Sequence, residues 1–103
     1  MFLRFIIDEE FDNIKNYLNV YHDEDDKLIR TLIAASYNYI LNYTGLTDEE
    51  FLKYSDSLKV ALFMLVSQYY DSRGVESSQT KQNNAIDSIL NLYRSNLVEE
   101  VNN

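Results

Sequence analysis

The stretch Leu28–Tyr43, LIRTLIAASYNYILNY, decides how the rest of this chain is read. On a helical wheel of about 100° per residue, Ala35, Leu28, Tyr39, Leu32, Tyr43, Ser36, Ile29, Ile40 and Ile33 fill a continuous arc of roughly 160°, the width of a core-facing stripe. Tyr37, Leu41 and Ala34 form a second, narrower apolar stripe between Arg30 and Asn38. A helix that is apolar on two sides needs two partners. Its ends are marked too: Asp23, Glu24, Asp25 and Asp26 supply cap and first-turn acids, and Gly45 stands where a left-handed residue would close the last turn. The expected helix has about 20 residues and is some 30 Å long.

The composition agrees with a fold built on such helices. With 103 residues the chain is read as a single helical domain, 1–103, large enough to bury roughly 60 to 70% of its unfolded surface. It has no Pro and only two Gly, which favours long uninterrupted helices over a turn-rich β fold, and no Cys, which removes disulfides and thiolate metal sites. A net charge of −8 opposes free association with nucleic acid. The longest wholly apolar run, Val60–Val66, falls far short of the ~20 residues that span a bilayer, and Met1–Ile7 is too short for a signal peptide, so no membrane role is expected.

In chain order, Phe2, Leu3, Phe5, Ile6 and Ile7 are apolar without a clear period and read as an extended lead-in. A first helix follows from Asp8, with Ile7, Phe11, Ile14 and Leu18 at helical spacing, and Asn19–Tyr21 ends it. The link HDEDD, residues 22–26, reads as a cap and solvated first turn. Its alternating carboxylates resemble half of a calcium loop, but no Gly or distal Glu completes one, so no metal is expected. His22, the only histidine, has no neighbouring nucleophile to activate. Thr47 and Glu50 have capping-box spacing ahead of one or two helical turns carrying Phe51, Leu52 and Tyr54. Ser55 or Asp56 then caps a third long helix, whose face of Leu58, Leu62, Phe63, Leu65, Val66, Tyr69 and Tyr70 is expected to lie antiparallel to the central helix. Val60 and Met64 fall on its other side. The polar, aperiodic stretch 75–84, including Glu76, Ser77, Ser78, Gln79, Thr80 and Lys81, reads as a mobile loop before a last helix with Ile86, Ile89, Leu90, Tyr93 and Leu97 on one face. The expectation is an all-α antiparallel bundle of about four helices around the long central one, with no catalytic residues and no cofactor.

Three segments in this order, YLNVYHDEDDKLIRTLIAASYNYILNYTG (17–45), LKVALFMLVSQYYDSRG (58–74) and ILNLYR (89–94), resemble the head-tail connector family of tailed bacteriophages, the adaptors that dock beneath the portal once DNA is packaged. The likeness lies in a Leu-bearing first helix, an acidic turn, a long helix with an Ala-Ala pair and a Tyr-Thr-Gly end, a Tyr-x-x-Arg ending matched by Tyr70–Arg73, and a Tyr-Arg close matched by Tyr93 and Arg94. The chain departs from the pattern where a proline often precedes the third long helix, here Ser55–Asp56, and in residues 95–103, which extend past the Tyr-Arg stop. The resemblance implies a homo-oligomeric ring in the virion neck, assembled from subunits held in the host cytoplasm, with the portal protein and the next neck or stopper protein as partners and DNA only as cargo.

Ring closure requires each subunit to present two different surfaces. Tyr37, Leu41, Val60 and Met64, on the far sides of their helices, are the expected contact residues, and the resemblance adds Arg73, Tyr93 and Arg94. A different class of function, a small acidic helical regulator or DNA mimic that binds a host or phage protein, would use the carboxylates of Asp8, Glu9, Glu10, Asp12 and residues 23–26 as one surface array.

Overall fold

The structure, a computed structural model, describes residues 2–72 and 84–94. Within them the chain is helical, with no strand: α1 (Phe2–Leu18), α2 (Asp26–Thr44), α3 (Asp48–Lys53), α4 (Ser55–Ser72) and a last helix, α5, over 84–94.

Helix α1 begins six residues earlier than the sequence indicates, replacing the expected extended lead-in. Ile6, Glu10 and Ile14 share one face and are all buried, with Leu3 packed at its edge. The period is hidden in the sequence because a charged residue, Glu10, occupies a core-facing position. The helix closes in a Schellman motif: Asn19 takes the left-handed conformation at φ 60°, its N–H donates to Asn16 O (3.1 Å), and Val20 N–H donates to Lys15 O (3.0 Å). Asparagine tolerates that conformation through its short polar side chain.

Helix α2 ends as expected, with Gly45 at φ 79° donating its N–H to Leu41 O. Its start differs. Asp25 stands at the N-cap but makes no side-chain cap; its carboxylate accepts from Tyr70 Oη at the far end of α4 instead. That contact pairs the start of α2 with the end of α4, so the two run antiparallel. Asp8 meets Arg30 and Lys15 meets Asp26, which makes α1 antiparallel to α2 as well. The capping box at Thr47 is complete, its hydroxyl accepting from Glu50 N–H (3.1 Å) and the Glu50 carboxylate from Thr47 N–H (3.0 Å). Only Tyr54 separates α3 from α4, and Asp56 lies in the first turn of α4.

One core runs through all five helices: Ile29, Ile33 and Ile40 of α2, Leu58, Leu62 and Val66 of α4, and Phe51 of α3 are fully enclosed, with Ile86 and Leu90 of α5 against them. The face of α2 is rotated from the sequence reading. Ala35 and Tyr39 are exposed, whereas Tyr37, expected on an outer stripe, is 1% exposed. Its ring meets Phe51 edge-on at 4.8 Å and its hydroxyl donates to Asp48 Oδ1. Phe51 closes over Tyr37 because the capping box turns α3 back onto α2, and the second stripe therefore finds its partner inside the chain. Met64 and Leu41 also pack against the core, each half-buried.

Burial first, and then the bond to Asp48 and its charge, raise the Tyr37 phenol above its ordinary pKa of 10.0. The fold thus favours the neutral phenol, a contribution fully present below the unfolded value and lost as pH climbs past it. Tyr37→Phe should destabilise the protein by about 1–2 kcal/mol near neutral pH. Urea titrations at about pH 8 and about pH 11 should show that gap narrowing at the higher pH. An unchanged gap would mean the phenol ionises freely in the fold.

Candidate functional site

Helices α1 and α4 run side by side in the same direction, as the pairs Glu10–Lys59 and Tyr17–Phe63 require. Their outer surfaces leave an open groove. Glu10, Asn13, Asn16 and Tyr17 line its α1 wall, and Lys59, Val60 and Phe63 its α4 wall. The walls differ in chemistry because consecutive turns of α1 present Asn13 and Asn16, whereas those of α4 present Val60 and Phe63. Val60 is 50% exposed and Tyr17 is 48% exposed, and the Tyr17 ring leans on Phe63 at 5.5 Å, so an apolar strip is open to water.

An ion pair sets the floor of the groove. Glu10, 2% exposed, accepts from Lys59 Nζ at 2.9 Å and from Asn13 Nδ2 at 3.2 Å. A buried carboxylate without a cation would be costly, so Lys59 is what lets α1 turn this face inward.

A second surface lies on the other flank of α2. Helix α5 runs along the C-terminal half of α2, with Tyr43 Oη donating to Asn91 Oδ1 at 2.8 Å. Partial desolvation first, and then the charge of Asp87, raise the pKa of the Tyr39 phenol. The Tyr93 ring packs tilted against Tyr54 with centroids 5.1 Å apart, the Arg94 guanidinium lies 5.3 Å from the Tyr43 ring, and Lys53 Nζ lies 5.5 Å from the Tyr54 ring. Leu92, 65% exposed, points away from all of this.

The acidic turn between α1 and α2 is tied down. Lys15 Nζ binds Asp26 Oδ1 at 2.7 Å, lies 3.7 Å from Asp23, and donates to His22 O at 2.9 Å; the bond to Asp26 and the neighbouring carboxylates raise its pKa. His22 Nδ1 accepts from Glu24 N–H, so the imidazole serves the turn. Among the described residues no three His, Cys, Asp or Glu side chains converge on a metal site, and no helix is long and apolar enough to cross a membrane.

Of the residues singled out from sequence, Val60, Tyr93 and Arg94 lie at the two surfaces. Tyr37 does not: it is core, a correction that follows from the closure of α3 over it. Leu41 and Met64 are half-buried beside the core. Arg73 and the stretch from Glu76 to Lys81, with Ser77, Ser78, Gln79 and Thr80, lie outside the described residues, as does Leu97. The sequence reading missed Tyr17, Lys59 and Leu92. Lys59 could have been found from the one anomaly in α1, a glutamate at core spacing that demands a cation from another helix.

The fold and its two exposed apolar surfaces define a class: a small all-α bundle whose open chemistry suits contacts with other proteins. Over residues 8–102 the chain matches the family of phage gp6-like head-tail connector proteins, and it belongs to that family. The match runs on through residue 102, so residues 95–102 fall within the family's span and do not extend past it. Membership makes the chain a structural component of the phage virion that works through contacts with other head and tail components. Comparisons with curated proteins and with solved structures gave no match.

Removing the groove's cation tests how α1 is held. Lys59→Met should destabilise the protein by about 1–3 kcal/mol, less than for a wholly buried pair because Lys59 is partly solvated, and Glu10→Gln in the same chain should recover most of the loss. Additive losses in denaturant titrations would show that the two side chains do not interact.

Proposed function

We propose that this chain is a non-enzymatic adaptor subunit of the phage neck that closes into a ring on the portal, continues the DNA channel, and receives the next neck or stopper protein. The family match carries the reading. It is supported by the placement of two unlike surfaces on opposite flanks of α2, since a ring is built from heterologous contacts in which one patch meets a different one. On α2 itself Asp26 and Arg30 face α1, whereas Tyr39 and Tyr43 face the α5 side. The shared core supports treating 1–103 as one connector domain. A surplus of acid, −8 overall, suits a conduit that phosphates must pass without sticking.

The regulator or DNA-mimic reading is less well served, because several of its carboxylates are engaged within the chain. Glu10 is buried against Lys59, Asp8 pairs with Arg30, Asp26 with Lys15, and Asp25 accepts from Tyr70. In the adaptor reading Val60, Tyr93 and Arg94 belong to subunit or portal contacts, Leu41 and Met64 to their margins, and Arg73 to a family-implied contact. The subunit waits in the host cytoplasm and ends in the virion neck.

Electron microscopy of the chain mixed with its portal protein should show a ring of added density at one end of the portal, with Val60→Asp reducing occupancy roughly tenfold while leaving the free subunit's melting temperature within about 2 °C. A portal that stays bare at saturating subunit would overturn the adaptor reading.

A further inference from the structure

We propose that helix α5 of one copy seats in the α1/α4 groove of the next, with Leu92 against Val60 and Phe63 and Arg94 facing Glu9; this rests on the ring reading and names its contact.

The match is one of shape, apolar placement and charge. The groove's α1 wall is polar at Asn13 and Asn16 and its α4 wall is apolar at Val60 and Phe63. Glu9 stands one helical turn before Asn13 on the same stripe of α1, at the end of the groove. Helix α5 carries the complement. Around its axis, at about 100° per residue, the core-facing side holds Ile86 and Leu90, and the two flanks of the exposed side hold Leu92 and Arg94, with Ser88 between them. A helix laid in the groove with Leu92 on the α4 wall therefore turns Arg94 toward the α1 wall. Ser88, small and exposed, allows the helix to approach closely.

The charges favour a second copy as the occupant. Among the described residues the ion pairs engage Lys15, Arg30 and Lys59, each with a carboxylate of its own chain. Arg94 is exposed and makes no ion pair among them, resting only on the Tyr43 ring. Glu9 is likewise exposed with no cation partner among the described residues. In a chain of net charge −8, copies repel one another at long range, so an assembly needs local opposite charges at its contact. The groove and α5 supply one of each. Because they lie on opposite flanks of α2, using one leaves the other free, and the contact propagates from copy to copy without self-pairing.

The chain has no cysteine, so a designed pair reports the contact cleanly. Val60→Cys with Leu92→Cys, oxidised at assembling concentration, should give a ladder of disulfide-linked multimers, since the seated helix brings the two Cα atoms within the ~4.4–6.8 Å a disulfide bridges. Val60→Cys with Leu52→Cys should not. Separately, Arg94→Glu and Glu9→Lys should each weaken assembly roughly tenfold in dissociation constant by sedimentation velocity, and the two together should recover most of it. All five positions are exposed, so unchanged melting curves will show that the variants fold. Multimers in the wild type, with no cross-link in the Val60→Cys/Leu92→Cys variant and no charge-swap recovery, would overturn this contact while leaving the ring intact. A wild type that stays monomeric at every concentration, together with a Val60→Cys/Leu92→Cys variant that never cross-links, would overturn direct copy-to-copy docking, and a portal that stays bare would separately overturn the ring.

Discussion

The structure depends on enclosing α2. Ile29, Ile33, Tyr37 and Ile40 are sealed on a helix of 19 residues, and no single neighbour can cover them. Helix α4 takes the longest share, α1 a second and α5 a third, while α3 caps the end where Tyr37 would otherwise face water. Each contact removes apolar area from water at about 25 cal/mol per Å², and together they explain why a short chain spends most of its length in helices around one axis.

Directional polar contacts then fix how the covering helices sit, because hydrophobic burial alone is non-directional. Asp25 with Tyr70 sets the register of α2 against α4, and Lys15 with Asp26 and Arg30 with Asp8 set α1 against α2. Arg30 also lies over the Phe11 ring at 4.3 Å, joining charge and packing in one side chain. Glu10 with Lys59 does the same between α1 and α4. Four of the seventeen acidic residues are thereby structural, and three of the nine basic residues are committed to holding α1 in place.

What remains open is informative for a connector. The surfaces that α1 and α4 cannot close, and the outward side of α5, are the places where exposed Tyr17, Val60 and Leu92 collect. Exposed apolar groups on a small bundle are a surface waiting for a partner when they lie beside a groove and beside unpaired charge, and are ordinary when they stand alone, as Leu52 does. The family to which the chain belongs gives that pattern its context.

The amino-acid order by itself determined the helices and most of their ends. The isoleucine period of α2, Gly45 beyond its last turn, and the Thr47–Glu50 capping box are local signals, each satisfied by neighbours a few residues away, so they were legible without a fold. The order of acidic turn, long helix and Tyr-Arg close also carried the family likeness. Tertiary structure decided what depends on residues far apart in the chain. The start of α1 was hidden because Glu10 looks like surface until Lys59, 49 positions away in sequence, neutralises it. Tyr37 looked like an outward stripe until Phe51 folded over it and Asp48 received its hydroxyl. The groove between α1 and α4 likewise had no signal in either helix alone, since a concave surface belongs to a pair. A helix's period shows that a stripe is apolar; which stripe is covered, and by what, is settled only when the other helices compete to cover it.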